Sequence, residues 1–293
     1  MASPRRSIHL SAGIRGRLFV WLQYALPQHA LSRLVLKATR VRTAWFKNAL
    51  LRGFLKLYEV NLNEAAQPDP YRYGSFNEFF TRSLKEGVRP IAAAASAIAS
   101  PVDGCVSECG YLEGDQLLQA KGRRYALADL LAHAPWAQDF RGGAFATIYL
   151  APFNYHRIHM PVRGALQETR FVPGRLFSVN SVTAGLVPRL FARNERVVTL
   201  FEGDAGRFVV VLVGALNVGS MSTVWAQDIT PAATRVPTTL PPTALSLEKG
   251  AELGRFNMGS TVILLFEPQR VQWSPELRAG LTVQLGQAIG ALR

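Results

Sequence analysis

The sequence predicts an α+β fold, with basic amphipathic helices at the front and a mainly antiparallel β sandwich or barrel behind them. Three observations carry this. The first ~60 residues show helical hydrophobic periodicity and hold eleven basic residues before the first acid, Glu59. From Ser100 the texture changes to short β-branched and aromatic runs punctuated by glycine and proline. No strand–long-helix unit repeats, which argues against a doubly wound parallel sheet.

The front segment divides at Pro27, which separates an apolar stretch, Leu18–Leu26, from the next helix. Stepping ~100° per residue from Leu31 puts Leu31, Leu34, Val35 and Ala38 on one arc and Arg33, Lys37 and Arg40 opposite. A third helix over Trp45–Tyr58 draws its apolar mass from Trp45, Phe46, Leu50, Phe54 and Leu57. Such faces can lie in a lipid headgroup layer or pack on the body with their charges solvated. Residues 61–75 read as a linker. Ser75 then caps a helix start with Glu78 at the capping-box position, and Phe79 and Phe80 face the core. Arg89-Pro90 is expected to end that helical stretch, and the alanine-rich segment 92–99 to connect it onward.

Strands are expected at Phe145–Leu150, Arg196–Phe201, Phe208–Leu216, Met221–Ala226 and Thr261–Phe266, with a short helix at Leu127–His133. The prolines of 230–243 leave no room for a regular element, and Trp273–Arg293 is open between an ordered helix and a loose end. The division is thus a basic arm, 1–60, on a body, 61–293.

The charge balance bounds the partners. The chain carries a net +13 at pI near 10.3, yet from Glu59 onward 22 basic residues face all 20 acids, so the body is nearly neutral. A basic arm suits nucleic acid or an acidic membrane surface; no nucleic-acid reader motif is present. No apolar run approaches the ~18–20 residues that cross a bilayer, and no small-residue cleavage site marks a secretory leader. Cys105 and Cys109 lack a second ligand pair, which favours free thiols in a reducing compartment over zinc.

The chemistry gathers around Phe256-Asn257-Met258-Gly259-Ser260-Thr261. This stretch runs into Val262-Ile263-Leu264-Leu265-Phe266, whose alternating sets are both apolar, so the strand should be covered on both faces. Glycine there permits backbone angles that other residues resist. Alone, Gly-Ser-Thr is only a turn into a core strand. Its company is Ser100-Pro101-Val102-Asp103-Gly104 and Tyr155-His156-Arg157-Ile158-His159-Met160-Pro161. Asp103, His159 and Ser260 form a set in which a carboxylate can orient an imidazole and the imidazole can take a hydroxyl proton. His156 and His159 are spaced three apart, but no third ligand has motif-like spacing for a metal.

Together these segments resemble the phosphatidylserine decarboxylase family, self-processing pyruvoyl enzymes of phospholipid synthesis. The resemblance extends through Phe76-Asn77-Glu78-Phe79-Phe80-Thr81-Arg82, Lys121-Gly122, Val172-Pro173-Gly174-Arg175-Leu176-Phe177-Ser178-Val179-Asn180 and Phe191-Ala192-Arg193-Asn194-Glu195-Arg196. It departs at Met258, where leucine is usual; the two are close in volume, so processing should survive.

The resemblance implies a proenzyme cleaved between Gly259 and Ser260 into a β chain, 1–259, and an α chain, 260–293. Ser260 would become a covalent pyruvoyl group, the cofactor, through Asp103 and His159. That group forms a Schiff base with phosphatidylserine, and His156 assists decarboxylation to phosphatidylethanolamine, protonating Cα. Ser178 and Asn180 are candidate headgroup contacts, or turn formers. The implied partners are the substrate, an anionic membrane surface on the cytoplasmic side of the cell membrane (peripheral attachment) and the chain's own two products, with room for a homodimer. Two other classes compete: an uncleaved Ser-His-Asp lipid hydrolase, which lacks the Gly-x-Ser-x-Gly elbow, and a non-catalytic anionic-lipid-binding protein.

Overall fold

The computed structural model describes residues 13–216, 220–229, 236–257 and 260–293, with Ser260 described in its backbone. Met258, Gly259 and the segment 230–235 lie outside the described residues.

Three helices open the chain: α1 (Ile14–Ala25), α2 (Gln28–Thr39) and α3 (Ala44–Leu57). Pro27 sits at the α1–α2 corner, where a missing N–H costs a helix start nothing. The docking faces of α1 and α2 are partly polar. Gln23 Oε1 accepts from the Ser178 N–H (2.8 Å), and Gln28 Oε1 accepts from the Leu176 N–H (2.9 Å). Val20 and Leu36 are buried there too, but several large apolar residues turn outward: Ile14, Leu18 and Trp21 are 86%, 65% and 71% exposed, and Leu34 is exposed as well. On α3, Lys47 is buried with Nζ donating to the Tyr71 and Tyr73 carbonyls (2.6 and 2.7 Å).

The helix α4 (Phe76–Phe80) is capped as the sequence predicts, with Ser75 Oγ accepting from the Glu78 N–H at 3.1 Å. It stops at Thr81, well before Arg89-Pro90, because its three phenylalanines already fill one side of a small core with Leu51 and Phe54. That core ties the arm to the body: each buried ring withdraws enough apolar surface to contribute roughly 1.5–3 kcal/mol.

The body is organised on one open, nine-stranded antiparallel sheet and does not close as a barrel. From one edge the order is Thr238–Thr239, Gly164–Val172, Arg196–Gly203, Gly206–Val213, Ser260–Phe266, Ala144–Leu150, Gly104–Tyr111 and Thr282–Val283, with Ser246–Leu247 also pairing on Gly164–Val172. Ser260–Phe266 is therefore central. Val262, Leu264 and Phe266 pack into one core, while Ile263 and Leu265 pack into the other, as the doubly apolar pattern requires. Short helices and turns around Leu127–Phe140 and Ser181–Arg193 cover one face. Two three-stranded sheets cover the other: Ala97–Ala99, Ala288–Leu292 and Val271–Trp273, and Met221–Thr223, Glu252–Phe256 and Arg157–His159.

Two expectations are corrected here. The tail is neither helix nor loose end: its strand Ala288–Leu292 pairs with both Ala97–Ala99 and Val271–Trp273. The 236–243 segment does hold a regular element, since Thr238 and Thr239 add onto Phe171 and Arg170 as an edge strand. Prolines flank that pair without removing its own N–H donors.

Candidate active site

The strand register gathers the chemistry at one end of the central sheet. Ser260 pairs with Leu150, and Cys105 pairs with Tyr149, so Asp103-Gly104 lies two strands from Ser260. In the other direction Thr261 pairs with Val213 and Val213 with Arg196, which brings Gly214 and Glu195 level with Ser260. Gly104 permits this approach, because a Cβ there would stand 2.6 Å from the Tyr149 carbonyl oxygen.

Asp103 is buried and fully engaged. Oδ1 accepts from Arg89 Nε (2.9 Å) and from the Leu285 N–H (2.8 Å), and Oδ2 accepts from Arg89 Nη2 (2.7 Å). Arg89 Nη2 also reaches Glu64 Oε2 at 2.7 Å. These two carboxylates hold the guanidinium above its ordinary range. Such a charge-assisted fork fixes Asp103 against the sheet end.

His159 sits beside it, with its backbone N–H donating to the Pro101 carbonyl at 2.9 Å. Its ring does not hydrogen-bond Asp103. Nδ1 lies 2.8 Å from the Gly250 carbonyl oxygen, and an oxygen that can only accept requires the proton on Nδ1. Nε2 is then the basic nitrogen, receiving the Tyr155 O–H at 3.1 Å. Gly250 supplies that carbonyl from a left-handed turn, φ +83°, where a Cβ would also strike Ile91. Burial lowers the His159 pKa, with Glu252 and Asp103 pulling back, so the ring is a neutral base at pH 7. Burial raises the Tyr155 hydroxyl to about 12, which keeps it a donor.

His156 is completely buried against Phe80, the ring centroids 4.0 Å apart. Its Nδ1 faces the Asn154 carbonyl at 2.8 Å, while Nε2 is buried without a partner. Burial pushes its pKa down to about 3. This imidazole is neutral with an unfilled lone pair, an unmet demand that a ligand atom would satisfy. Its carbonyl accepts the Phe256 N–H at 3.0 Å, so both histidines flank the strand Glu252–Phe256 that leads toward residue 260.

Asn257, next in line, is tied down from three elements. Its amide donates to Ser220 Oγ, Ser222 Oγ (3.2 Å) and Asp228 Oδ1 (3.3 Å), and its carbonyl accepts from Asn77 Nδ2 (2.9 Å). Asp228 is in turn forked by Arg40, just past α2, at 2.6 and 2.8 Å.

The two candidate headgroup contacts, Ser178 and Asn180, are engaged within the protein. Ser178 N–H and Oγ both donate to Gln23, and Asn180 Oδ1 accepts from the Val182 and Thr183 N–H groups, capping a helix. The sequence assigns no role to Arg89, Tyr155, Gly250 or Asn257; of these Tyr155 and Asn257 carry a signal, as members of the Tyr155–Pro161 and Phe256–Thr261 stretches. Glu195 is buried with Oε2 unpartnered, and burial raises its carboxyl to about 8. Cys105 and Cys109 are free thiols. Among the described residues no cluster of three or more His, Cys, Asp or Glu could hold a metal.

A family model described as phosphatidylserine decarboxylase matches residues 76–291, and one described as PSD matches 18–59. The phosphatidylserine decarboxylase proenzyme of Pseudomonas fluorescens is 50% identical, covering 94% of this chain and 98% of that protein. Those of Ectopseudomonas mendocina (50%; 94% and 99%) and Nitrosococcus oceani (50%; 95% and 94%) match equally well. The chain therefore belongs to the phosphatidylserine decarboxylase family.

Proposed function

We propose that this chain decarboxylates phosphatidylserine to phosphatidylethanolamine at a membrane surface, using a pyruvoyl group that it makes by cutting itself between Gly259 and Ser260. One observation carries the reading beyond family membership. Two neutral imidazoles, one of them fully buried with an unfilled Nε2, flank the strand that leads into Ser260 at the end of the central sheet.

In the self-cleavage step His159 Nε2 takes the Ser260 hydroxyl proton once Tyr155 yields its place, and the alkoxide attacks the Gly259 carbonyl. The acyl group moves from nitrogen to oxygen. Loss of the Ser260 α-proton then breaks the Cβ–O bond and releases Gly259 as a carboxylate. The resulting dehydroalanine tautomerises to an imine, and water hydrolyses it with loss of ammonia. Asp103 acts here through its field and by anchoring the 100–104 loop beneath His159, while the Gly250 carbonyl holds the ring's tautomer. The pyruvoyl carbonyl, once formed, supplies an electron sink for the pair left behind as CO2 departs. The unfilled Nε2 of His156 fits a small polar group at this place. Being neutral, it must receive a proton before it can return one to Cα.

The arm, 1–60, serves as the membrane contact and 61–293 as the catalytic body. The outward Ile14, Leu18, Trp21 and Leu22 of α1, flanked by Arg15 and Arg17, support this placement on the lipid surface. Among the described residues no helix is long and apolar enough to cross a membrane.

Intact-mass measurement with a denaturing gel tests the reading. Purified protein should give two chains, the smaller beginning with a blocked pyruvoyl end, and Ser260→Ala should leave one chain and no decarboxylation. An active, unbroken wild-type polypeptide would overturn it.

A further inference from the structure

An open cavity of about 400 Å³ lies between α1 and the body, lined by Tyr24, Gly174, Arg175, Phe177 and Arg193. Its chemistry is cationic with an aromatic wall. Arg193 Nη1 donates to the Tyr24 hydroxyl at 2.9 Å, and the Tyr24 ring leans on Phe177 with centroids 4.7 Å apart. Neither Arg175 nor Arg193 meets a carboxylate among the described residues, although most acids of the body are taken by other arginines.

Helical geometry sets the depth of this cavity relative to a lipid surface. At ~100° per residue, Ile14, Leu18, Trp21, Leu22 and Ala25 form one outer stripe, and Gly16, Val20 and Gln23 form the buried side. Tyr24 and Arg17 lie on the flank between them. When the outer stripe is in the acyl boundary, that flank is level with the headgroups.

The site is also separate from the reacting centre. The Gly214 N–H donates to the Glu195 carbonyl, and the Glu195 N–H donates to the Arg175 carbonyl, both at 2.8 Å. Arg175 is therefore three strand spacings from Ser260, about 14 Å at ~4.8 Å each. The four bonds between the amine and the phosphorus of a phosphoserine headgroup span at most about 5 Å at ~1.5 Å per bond. The Arg175 backbone thus stands farther from residue 260 than a headgroup spans, and the cavity that it lines lies against α1 at Tyr24.

We infer that Arg175, Arg193 and Tyr24 form a docking site for the phosphodiester of a second, anionic phospholipid, which orients α1 on the membrane without entering the reaction. This rests on the membrane-contact reading above. Guanidinium forks match a phosphodiester's oxygens in a way that diffuse surface charge does not.

The test compares full-length Arg175→Ala, Arg175→Lys, Tyr24→Phe and Lys37→Ala for flotation with phosphatidylglycerol-containing and pure phosphatidylcholine vesicles. Lys37 is an exposed arm cation outside the cavity. Arg175→Ala should weaken binding to the anionic vesicles at least tenfold, and Lys37→Ala no more than about fivefold, as for one surface cation. Arg175→Lys should fall near Arg175→Ala, and Tyr24→Phe should lose about threefold with no change in charge. Dihexanoyl phosphatidylglycerol should compete at concentrations where inorganic phosphate does not. Self-cleavage should be unchanged in all four. Equal losses in Arg175→Ala and Lys37→Ala overturn the site, and competition by inorganic phosphate as good as the short-chain lipid's overturns the lipid as its occupant. Wild-type protein that ignores anionic vesicles would instead sink the membrane reading itself, and an uncleaved wild type the enzymatic one.

Discussion

At the scale of single residues, burial separates this site's imidazoles from free histidine. Charging His156 means burying a cation with no acceptor at Nε2, hence a pKa near 3 against 6.5 in the unfolded chain. The unfolded state then binds the proton first, so stability is full above about pH 6.5 and falls as the pH drops toward the folded value. The slope is about 1.4 kcal/mol per pH unit. In the uncleavable Ser260→Ala background, His156→Leu should remove this dependence, narrowing the loss between pH 7 and pH 5 by about 2 kcal/mol in urea denaturation. An unchanged pH profile would mean that His156 is not charged on unfolding in that range. The sequence pointed to this histidine through its motif, yet not to its neutrality. That depends on Phe80 and Asn154 closing around the ring, one of them from a distant helix. The same holds for His159: its Nδ1 partner is the carbonyl of Gly250, 91 residues away and chemically invisible in a list of side chains.

At the scale of elements, locality decides what could be read in advance. The Ser75 cap, the Pro27 corner and the doubly apolar strand after Ser260 are short-range signals, and all three appear as expected. The third arm helix follows for the same reason, within a residue at each end, whereas α1 begins at Ile14, four residues before the apolar stretch read from Leu18. The faces do not follow: an apolar arc is ordinarily expected inward, whereas α1 and α2 bury Gln23 and Gln28 to satisfy the N–H groups of Ser178 and Leu176. The tail strands, two to five residues long, carry too little pattern to be seen without partners from the 97–111 region. One long-range link has a kinetic consequence. Arg40 beside α2 clamps Asp228, and Asp228 holds Asn257, two residues before the proposed scissile bond. Both partners are more than a third exposed, so the ion pair itself contributes little to stability. Asp228→Ala should therefore slow self-cleavage about fivefold, an increase of about 1 kcal/mol in the barrier, with little change in melting temperature. A time course of newly synthesised chain on a denaturing gel measures this. Wild-type speed would show that Ser220, Ser222 and Asn77 alone keep the segment in place.

At the scale of the whole molecule, the proposed cut falls at a place the fold can tolerate. Ser260–Phe266 is hydrogen-bonded on both sides, to Ala144–Leu150 and to Gly206–Val213, and its side chains fill both cores. Downstream, Thr282–Val283 closes one sheet edge on Gly104–Tyr111, and Ala288–Leu292 pairs with Ala97–Ala99. The α chain is thus woven through the β chain at three separate points, and severing one peptide bond at the sheet's end removes none of these contacts. Cleavage should then leave the two chains associated: size exclusion in native buffer should give one species containing both, and only denaturant should separate them. Salt should not, because the contacts of the central strand are apolar and backbone-paired, and the Arg207–Glu267 ion pair at its end is a single contact beside them. Opening the new ends does release the residue-260 side to move relative to Asn257, so a small loss of thermal stability relative to Ser260→Ala is expected, of a few degrees and not a collapse. Dissociation of the fragments on dilution or in high salt would contradict the central placement of the strand, since a segment held on both edges and both faces has no independent route out.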